Sequence, residues 1–336
     1  MQEAELYTKL TKDRVRCDLC AHLCRLRPGQ AGICGVRHNL DGILYTKVAD
    51  RVVATHVDPI EKKPFYHILP GSKSYSLAAV GCNLSCRHCQ NHEISQMPRS
   101  QGKIAGQRLR PEDLVREAIA TGCRSLAYTY TEPTVYFELM TATAVLGREA
   151  GLLNLMVSNG FLTAPARGRL KPLLDGANID LKAWSDSFYR RICGASGMTP
   201  VLETIADFAA QGIWVEVTTL LIPGYNDNPA ELKELARFLV SVSPAIPWHV
   251  TGFFPTYRLT NVPPTPPETI NRARTIGLEA GLHHVFAGNR PGIGGESTYC
   301  HNCGELLLER YGFRVLKNRI SESNCPVCQT PVAGIF

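Results

Sequence analysis

The chain has 336 residues, 44% of them hydrophobic and 20% charged, with a formal net charge of +6. This excludes a disordered polymer and allows one large domain with smaller attachments. No run approaches the ~20 apolar residues of a membrane span, the first residues are too polar for a signal peptide, and the basic residues are dispersed, so a cytoplasmic protein is expected, with no membrane as partner and nucleic-acid binding not indicated.

Residues 1–73 form the first unit. Cys17, Cys20, Cys24 and Cys34 fall there amid Gly and Pro, four of the thirteen cysteines of the chain. In a chain without an export signal such grouping favours metal thiolates over disulfides, and a segment this short reads as a metal-stapled appendage. The metal is either structural, which is the preferred reading, or a second cluster passing electrons inward. Lys62, Lys63, Pro64, Phe65, Tyr66 and His67, just before the next unit, are candidates for lining a substrate opening or are ordinary loop residues.

Between residues 74 and 289, short apolar runs alternate with helical patterns. Strands are predicted at 74–81, 125–131, 153–157, 177–181, 213–222, 248–254 and 283–287. The segments between them read as amphipathic helices. Within 231–239, for example, Leu232, Leu235, Ala236 and Leu239 share a face, and Asn228, Pro229 and Glu231 supply a cap, an N1 proline and a capping-box acid. Repeated βα units predict a parallel sheet, open or curled into a barrel, with a ligand site at the carboxyl ends of its strands. Cys82, Glu132, Ser158, Asn159, Asp180, Lys182, Pro223 and Gly224 all fall at predicted strand ends.

The segment Cys82-Asn83-Leu84-Ser85-Cys86-Arg87-His88-Cys89 directly follows the first of these strands. Three thiolates on a four-iron cluster leave one iron open, which separates a reactive centre from a closed structural site. A zinc site completed by His88 or His92, or a set of ordinary buried thiols, are the competing readings. Cys193, in the loop after the fourth strand, is a candidate catalytic thiol able to supply a hydrogen atom or thiyl radical, against the alternative of a small buried hydrophobe. Cys123 reads as core, and Tyr257 and Arg258 as either opening residues or plain loop.

Residues 290–336 carry Cys300-x2-Cys303 and Cys325-x2-Cys328, the two knuckles of a zinc ribbon. All four positions are filled, so a closed structural zinc is expected, with rubredoxin-like iron the alternative. Gly292-Ile293-Gly294-Gly295 lacks the Lys-Ser or Lys-Thr of a P-loop and reads as the joint to this ribbon.

The Cys82, Cys86, Cys89 spacing resembles that of the radical S-adenosylmethionine (SAM) superfamily, whose members bind the amino and carboxylate groups of SAM at the open iron. The βα series is similar to that superfamily's partial (β/α)6 barrel. Further stretches resemble the radical SAM enzymes of the AmmeMemoRadiSam system, relatives of the activating enzyme of pyruvate formate-lyase: Cys89-Gln90-Asn91, Tyr128 to Thr134, Ser158-Asn159-Gly160-Phe161, Asp180-Leu181-Lys182, Ile222 to Asp227 and Thr298 to Glu305. This likeness runs over nearly the whole chain, both appendages included.

The resemblance implies an α/β fold, a [4Fe-4S] cluster, SAM and a flavodoxin or ferredoxin-like electron donor. It also implies an oxidoreductase whose 5'-deoxyadenosyl radical takes hydrogen from a substrate. That substrate is a glycine in a partner protein by analogy with the activating enzymes, or else a metabolite or an RNA base. Carried over residue by residue, it gives Glu132 the SAM amino group, Ser158 and Asn159 the ribose and carboxylate region, and Asp180 and Lys182 the Asp-x-Lys stretch, with Lys182 on the SAM carboxylate. Three departures stand out. His88 occupies a position usually aromatic and hydrophobic, the glycines before Glu132 are absent, and Val157 stands where the activating enzymes carry Asp. A surface ion pair is the plain alternative for Asp180 and Lys182, and a non-catalytic iron–sulfur electron-transfer module is the alternative for the whole chain.

Overall fold

The computed structural model describes residues 1–289, 292 and 294–336, so positions 290 and 291, and Ile293 of the proposed Gly292-to-Gly295 joint, lie outside the described residues. Its centre is an eight-stranded sheet of β1 (Ala54–Pro59), β2 (Lys73–Ala78), β3 (Ser125–Tyr128), β4 (Leu153–Ser158), β5 (Gly176–Asp180), β6 (Trp214–Leu221), β7 (Trp248–Gly252) and β8 (Val285–Gly288). Spatial order follows chain order. β1 pairs antiparallel with β2, and every later pairing is parallel. The crossovers carry helices α1 (Pro111–Ala120), α2 (Phe137–Glu149), α3 (Ala164–Leu170), α4 (Thr199–Ala210), α5 (Pro229–Val242) and α6 (Pro267–Glu279). Among the described residues the sheet edges β1 and β8 do not pair with each other, so the layer is an open partial barrel.

All seven strand expectations are met in place, because parallel strands covered on both faces are nearly continuous apolar runs. Every residue of β3 and β8 is buried. Several predicted runs extend too far at their carboxyl ends, where the chain leaves the ladder to build loops. Gly81 (φ 107°) and Tyr130 (φ 63°) turn into left-handed backbone just past β2 and β3. Helix α5 buries Leu232, Leu235, Ala236 and Leu239, as its spacing predicts, and Asn228 Oδ1 accepts the Ala230 N–H at its start.

The amino ends of the strands are closed by residues 60–69 and the C-terminal tail. The buried Glu216 of β6 accepts the backbone N–H groups of Tyr66 and His67 and the Trp214 indole N–H, and lies 2.6 Å from His249 Nε2. Leu69 N–H donates to Ile335 O, and Arg310 donates to Tyr66 O. His67 is fully buried between Ala333 O and Thr298, and burial, followed by the Arg310 charge, pushes its pKa down to about 3. An unfolded histidine titrates near ~6.5, so between these values the unfolded chain binds the extra proton and the stability contributed by neutral His67 is lost as pH falls. Urea unfolding is expected to show a loss of up to about 1.4 kcal/mol per pH unit from this group between pH ~6 and ~4, and His67→Gln should flatten that slope. An unchanged slope in the variant would contradict this assignment.

The N-terminal lobe consists of two three-stranded antiparallel sheets, and the tail forms a third from Thr298–Tyr299, Leu306–Tyr311 and Arg314–Asn318. No helix among the described residues is long and apolar enough to cross a membrane.

Candidate functional site

A cavity of about 450 Å³ runs along the inside of the curled sheet, with Cys82, Cys86, Cys89, Glu132, Ser158, Asn159, Asp180 and Lys182 in its wall. The strand-end residues singled out by sequence therefore converge, apart from Pro223 and Gly224. Lys62, Lys63 and Pro64 also line it, but from the β1–β2 connection at the amino ends of the strands, opposite the cysteines. Lys63 is buried there, 2.7 Å from Asp58 and with its ammonium 4.1 Å from the centre of the Tyr130 ring. Burial pushes Asp58 up, but Lys63, Tyr130 and Lys62 together hold it below the usual carboxylate range. Tyr257 and Arg258 instead border a separate hollow, where Tyr257 stacks on His92 with ring centres 4.4 Å apart.

The cysteine loop is clamped on several sides. At Gly81 a Cβ would lie 2.8 Å from Val36 Cγ1 and 3.2 Å from Cys34 O, so only glycine lets the loop pass under the N-terminal lobe. Ser85 N–H and Arg87 N–H donate to Cys193 O and Ile192 O of the turn Tyr189–Cys193. Leu84 N–H points at Cys82 Sγ (3.3 Å), and Cys89 Sγ lies 3.3 Å from Ser95 Oγ. Among the described residues no three of the ligand atoms of Cys82, Cys86, Cys89, His88 and His92 lie within 4.8 Å of one another. Three thiols from one short loop suit the wrapping of a four-iron cluster that keeps one iron open. The buried Nδ1 of His88 and Nδ2 of Asn83 have no partner within the protein, as befits polar atoms in the wall of a site that a bound group completes. Burial, and then Lys182, hold the His88 pKa down to about 3, so the ring is neutral and serves as the flat filler that its position calls for.

Glu132 occupies the turn after β3, which resembles the superfamily's glycine-rich stretch. Here Tyr130 takes up the left-handed backbone that a glycine would otherwise supply, held by its hydroxyl on Asp58 and by Asn91 Nδ2 donating to its carbonyl. Glu132 Oε1 accepts from Thr134 N (3.1 Å), Thr134 Oγ1 (2.6 Å) and Ser158 Oγ (2.8 Å), and Oε2 accepts from Asn159 N (2.9 Å). Burial pushes its pKa above the ordinary carboxylate range, against the pull of these bonds. The carboxylate thus ties the end of β3 to the end of β4, and Oε2 retains room for one further donor. Asn159 Nδ2 donates to Asn83 Oδ1 (2.7 Å), joining this pair of strand ends to the cysteine loop. Gly160 (φ 68°) completes the turn, and a Cβ there would sit 2.7 Å from Ile179 Cγ2.

Lys182 Nζ lies 2.9 Å from Asp180 Oδ2 in the cavity wall, with the lysine side chain 16% and the aspartate side chain 36% exposed. Burial pulls the Lys182 pKa down, but Asp180, Cys86 and Cys193 outweigh it and the ammonium stays charged. The Cys86 thiol is held down to about 7, first by the Cys193 thiol and then by Lys182. Cys193 itself is fully buried beside Cys86 and is not part of the cavity wall. Of the two readings of Cys193, its burial beside Cys86 suits the small buried hydrophobe, packed behind the cysteine loop. Cys123 is core, as expected.

Sequence reasoning missed Thr218 and Leu220 of β6, Thr251 of β7 and Asn289, which form the far wall of the cavity. Each threonine interrupts an apolar strand on its inner face, which is the local signal that could have found them. Asn289 follows β8 and is fixed by a reciprocal pair of hydrogen bonds with Gly252 N and O.

In the tail, Cys300 and Cys328 Sγ are 3.6 Å apart and Cys303 and Cys325 Sγ 3.7 Å, and all four lie within 4.8 Å of one another. In the N-terminal lobe, Gly32 sits between two thiols: a Cβ there would be 3.7 Å from Cys34 Sγ and 3.9 Å from Cys24 Sγ.

A parallel partial barrel with a cysteine loop after its first parallel strand and polar groups at the next three strand ends defines a class, and residues 77–239 match the family model of the Radical SAM superfamily. The match makes just under half of the chain a Radical SAM domain, and members of that superfamily cleave SAM reductively with an iron–sulfur cluster. An uncharacterized protein of Methanocaldococcus jannaschii, MJ0808, is 43% identical over 332 residues, spanning 98% of each chain. A probable GTP 3',8-cyclase of Thermococcus kodakarensis is 27% identical over 160 residues, 47% of this chain and 49% of that protein. Among solved structures, a radical SAM methyltransferase from Sphaerobacter thermophilus has a TM-score of 0.50 at 18% identity over 67% of this chain and 69% of that one, a likeness of fold.

Proposed function

We propose that Cys82, Cys86 and Cys89 hold the [4Fe-4S] cluster and that the cavity beside them binds SAM and a substrate. When bound, the cluster and SAM supply the one-electron cleavage that yields methionine and a 5'-deoxyadenosyl radical able to abstract hydrogen. The observation that carries this reading is the convergence of three thiols on a cavity that also holds an ammonium, a carboxylate and an amide.

In this reading Lys182 pairs with the SAM carboxylate, and the remaining acceptor of Glu132 takes the SAM ammonium. Ser158 and Asn159, fixed by Glu132, face the ribose. Asp180 restrains Lys182, and the neutral His88 packs the loop without adding charge. The far wall of Thr218, Thr251 and Asn289 contacts the substrate. The motif likeness to the AmmeMemoRadiSam enzymes supports a glycyl-radical-activase-like oxidoreductase acting on a backbone glycine of a partner protein, with a flavodoxin or ferredoxin-like protein as electron donor. For the tail, a Zn–S bond of about 2.3 Å gives a tetrahedron edge of about 3.8 Å, close to the sulfur separations of Cys300, Cys303, Cys325 and Cys328, and this supports structural zinc.

The test is anaerobic reconstitution with iron and sulfide, reduction, and assay of 5'-deoxyadenosine formed from SAM. Deuterium transfer from a labelled glycine in a candidate partner peptide then identifies the hydrogen donor. A fully loaded, reduced protein that cleaves no SAM would overturn the proposal.

A further inference from the structure

The chemistry above uses Lys182 and Glu132 at the cysteine end of the cavity and leaves two lysines at the other end. Lys62 and Lys63 both line the cavity there. They share one carboxylate: Lys62 Nζ lies 2.9 Å from Asp58 Oδ1, and Lys63 Nζ 2.7 Å from Asp58 Oδ2, which also accepts the Tyr130 hydroxyl. Two ammonium groups against one carboxylate leave one positive charge over. The side chains of Lys63 and Asp58 are only 3% and 5% exposed, so water screens that surplus poorly. An ammonium has three N–H donors, yet beyond Asp58 Lys63 meets only the face of the Tyr130 ring among the described residues. Burial pulls the Lys63 pKa down against the pull of Asp58, as befits a cation short of counter-charge. A buried cation in excess is costly until an anion joins it.

The segment that carries the lysines is built into the fold. Lys63 N–H donates to Ile60 O, and the buried Glu61 accepts Gly71 N–H at 2.9 Å. Asn178 Nδ2 donates to Pro64 O at 2.9 Å, and its Oδ1 accepts the hydroxyl of Thr218 on the far wall of the cavity. Tyr130 is held in left-handed backbone (φ 63°), which is unfavourable for so bulky a residue. A glycine would relieve that strain but would leave Asp58 without its phenol and Lys63 without the ring beneath it. The cationic end of the cavity is therefore preorganised before any ligand arrives.

We infer that Lys62 and Lys63 form a subsite for a carboxylate group of the substrate, at the end of the cavity away from the cysteines. Its part in the reaction rests on the function proposed above. One carboxylate matches the single surplus charge, whereas a phosphate ester with two charges would leave one of them buried without a partner. An Asp or Glu side chain beside the glycine of a partner protein offers this group, and so does a free carboxylic acid.

The test is calorimetric titration of the full reconstituted chain, with the cluster oxidised and SAM saturating so that Lys182 is already engaged. The probes are succinate and acetyl-Gly-Asp-amide, each set beside its uncharged counterpart, succinamide and acetyl-Gly-Asn-amide. At least one of the acids should bind about tenfold or more tightly than its amide. Lys62→Met leaves Asp58 paired with Lys63 and brings the surplus charge to zero, so the preference should vanish with the urea midpoint unchanged. Tighter binding of the peptide than of succinate assigns the carboxylate to a partner protein, and the reverse assigns it to a free acid. The inference is overturned if neither acid outbinds its amide, if the preference survives Lys62→Met, or if inorganic phosphate binds as tightly as the better acid. Assay of 5'-deoxyadenosine on the same preparation after reduction separates the two proposals. Carboxylate preference without SAM cleavage keeps the subsite and sinks the proposed function; SAM cleavage without the preference does the opposite.

Discussion

Reconstituted Cys86→Ala is expected to form no 5'-deoxyadenosine above the protein-free rate, measured by chromatography after anaerobic incubation with SAM and dithionite. Cys86 is the middle thiol of the loop, buried against Cys193 and within the field of Lys182, and its neighbours Ser85 and Arg87 are pinned by backbone bonds to the turn that carries Cys193. Removing it leaves two thiolates on a cluster that already has one open iron, while the backbone clamp survives and the chain stays folded. The loss should therefore be in activity and in iron at this site, with the urea midpoint little changed. Activity within about tenfold of the unaltered protein would mean that Cys86 is not a ligand.

Glu132→Ala is expected to act on stability and on SAM affinity together. It removes the sole acceptor of two amide groups, Thr134 N–H and Asn159 N–H, and of the Thr134 hydroxyl, all in a fully buried setting. At ~1–3 kcal/mol for each stranded amide, the loss should be about 2–6 kcal/mol. Glu132→Gln keeps an oxygen for Thr134 and Ser158 but sets an amide NH2 against Asn159 N–H, so it should cost roughly half as much. Urea unfolding measures the first effect and calorimetric SAM titration of the reconstituted protein the second. Both variants lying within ~0.5 kcal/mol of the unaltered chain would refute the view that this carboxylate joins β3 to β4.

The two variants separate the kinds of information that the chain carries. Cys86 announces itself by spacing, since three thiols drawn from one short loop can wrap a cluster. Glu132 is visible as an acid after a strand, but its structural part depends on Ser158 and Asn159, which arrive from the next βα unit. Cys193 shows the same limit. Its loop position suggested the cavity, and only the packing of the turn Tyr189–Cys193 against Ser85 and Arg87 sends its thiol behind the cysteine loop.

What the amino-acid sequence determined by itself was local: seven parallel strands and their helices from hydrophobic periodicity, the three cysteine groups from spacing, and the strand-end polar residues from topology. The tertiary structure decided which of these meet. It brought Thr218, Thr251 and Asn289 across the cavity, placed Lys63 at its far end from the cysteines, and laid Cys34 and His22 against the loop of Cys82. Periodicity records which face of a segment is buried but not against what. The compact grouping of the four tail sulfurs exists only once the chain has closed around them.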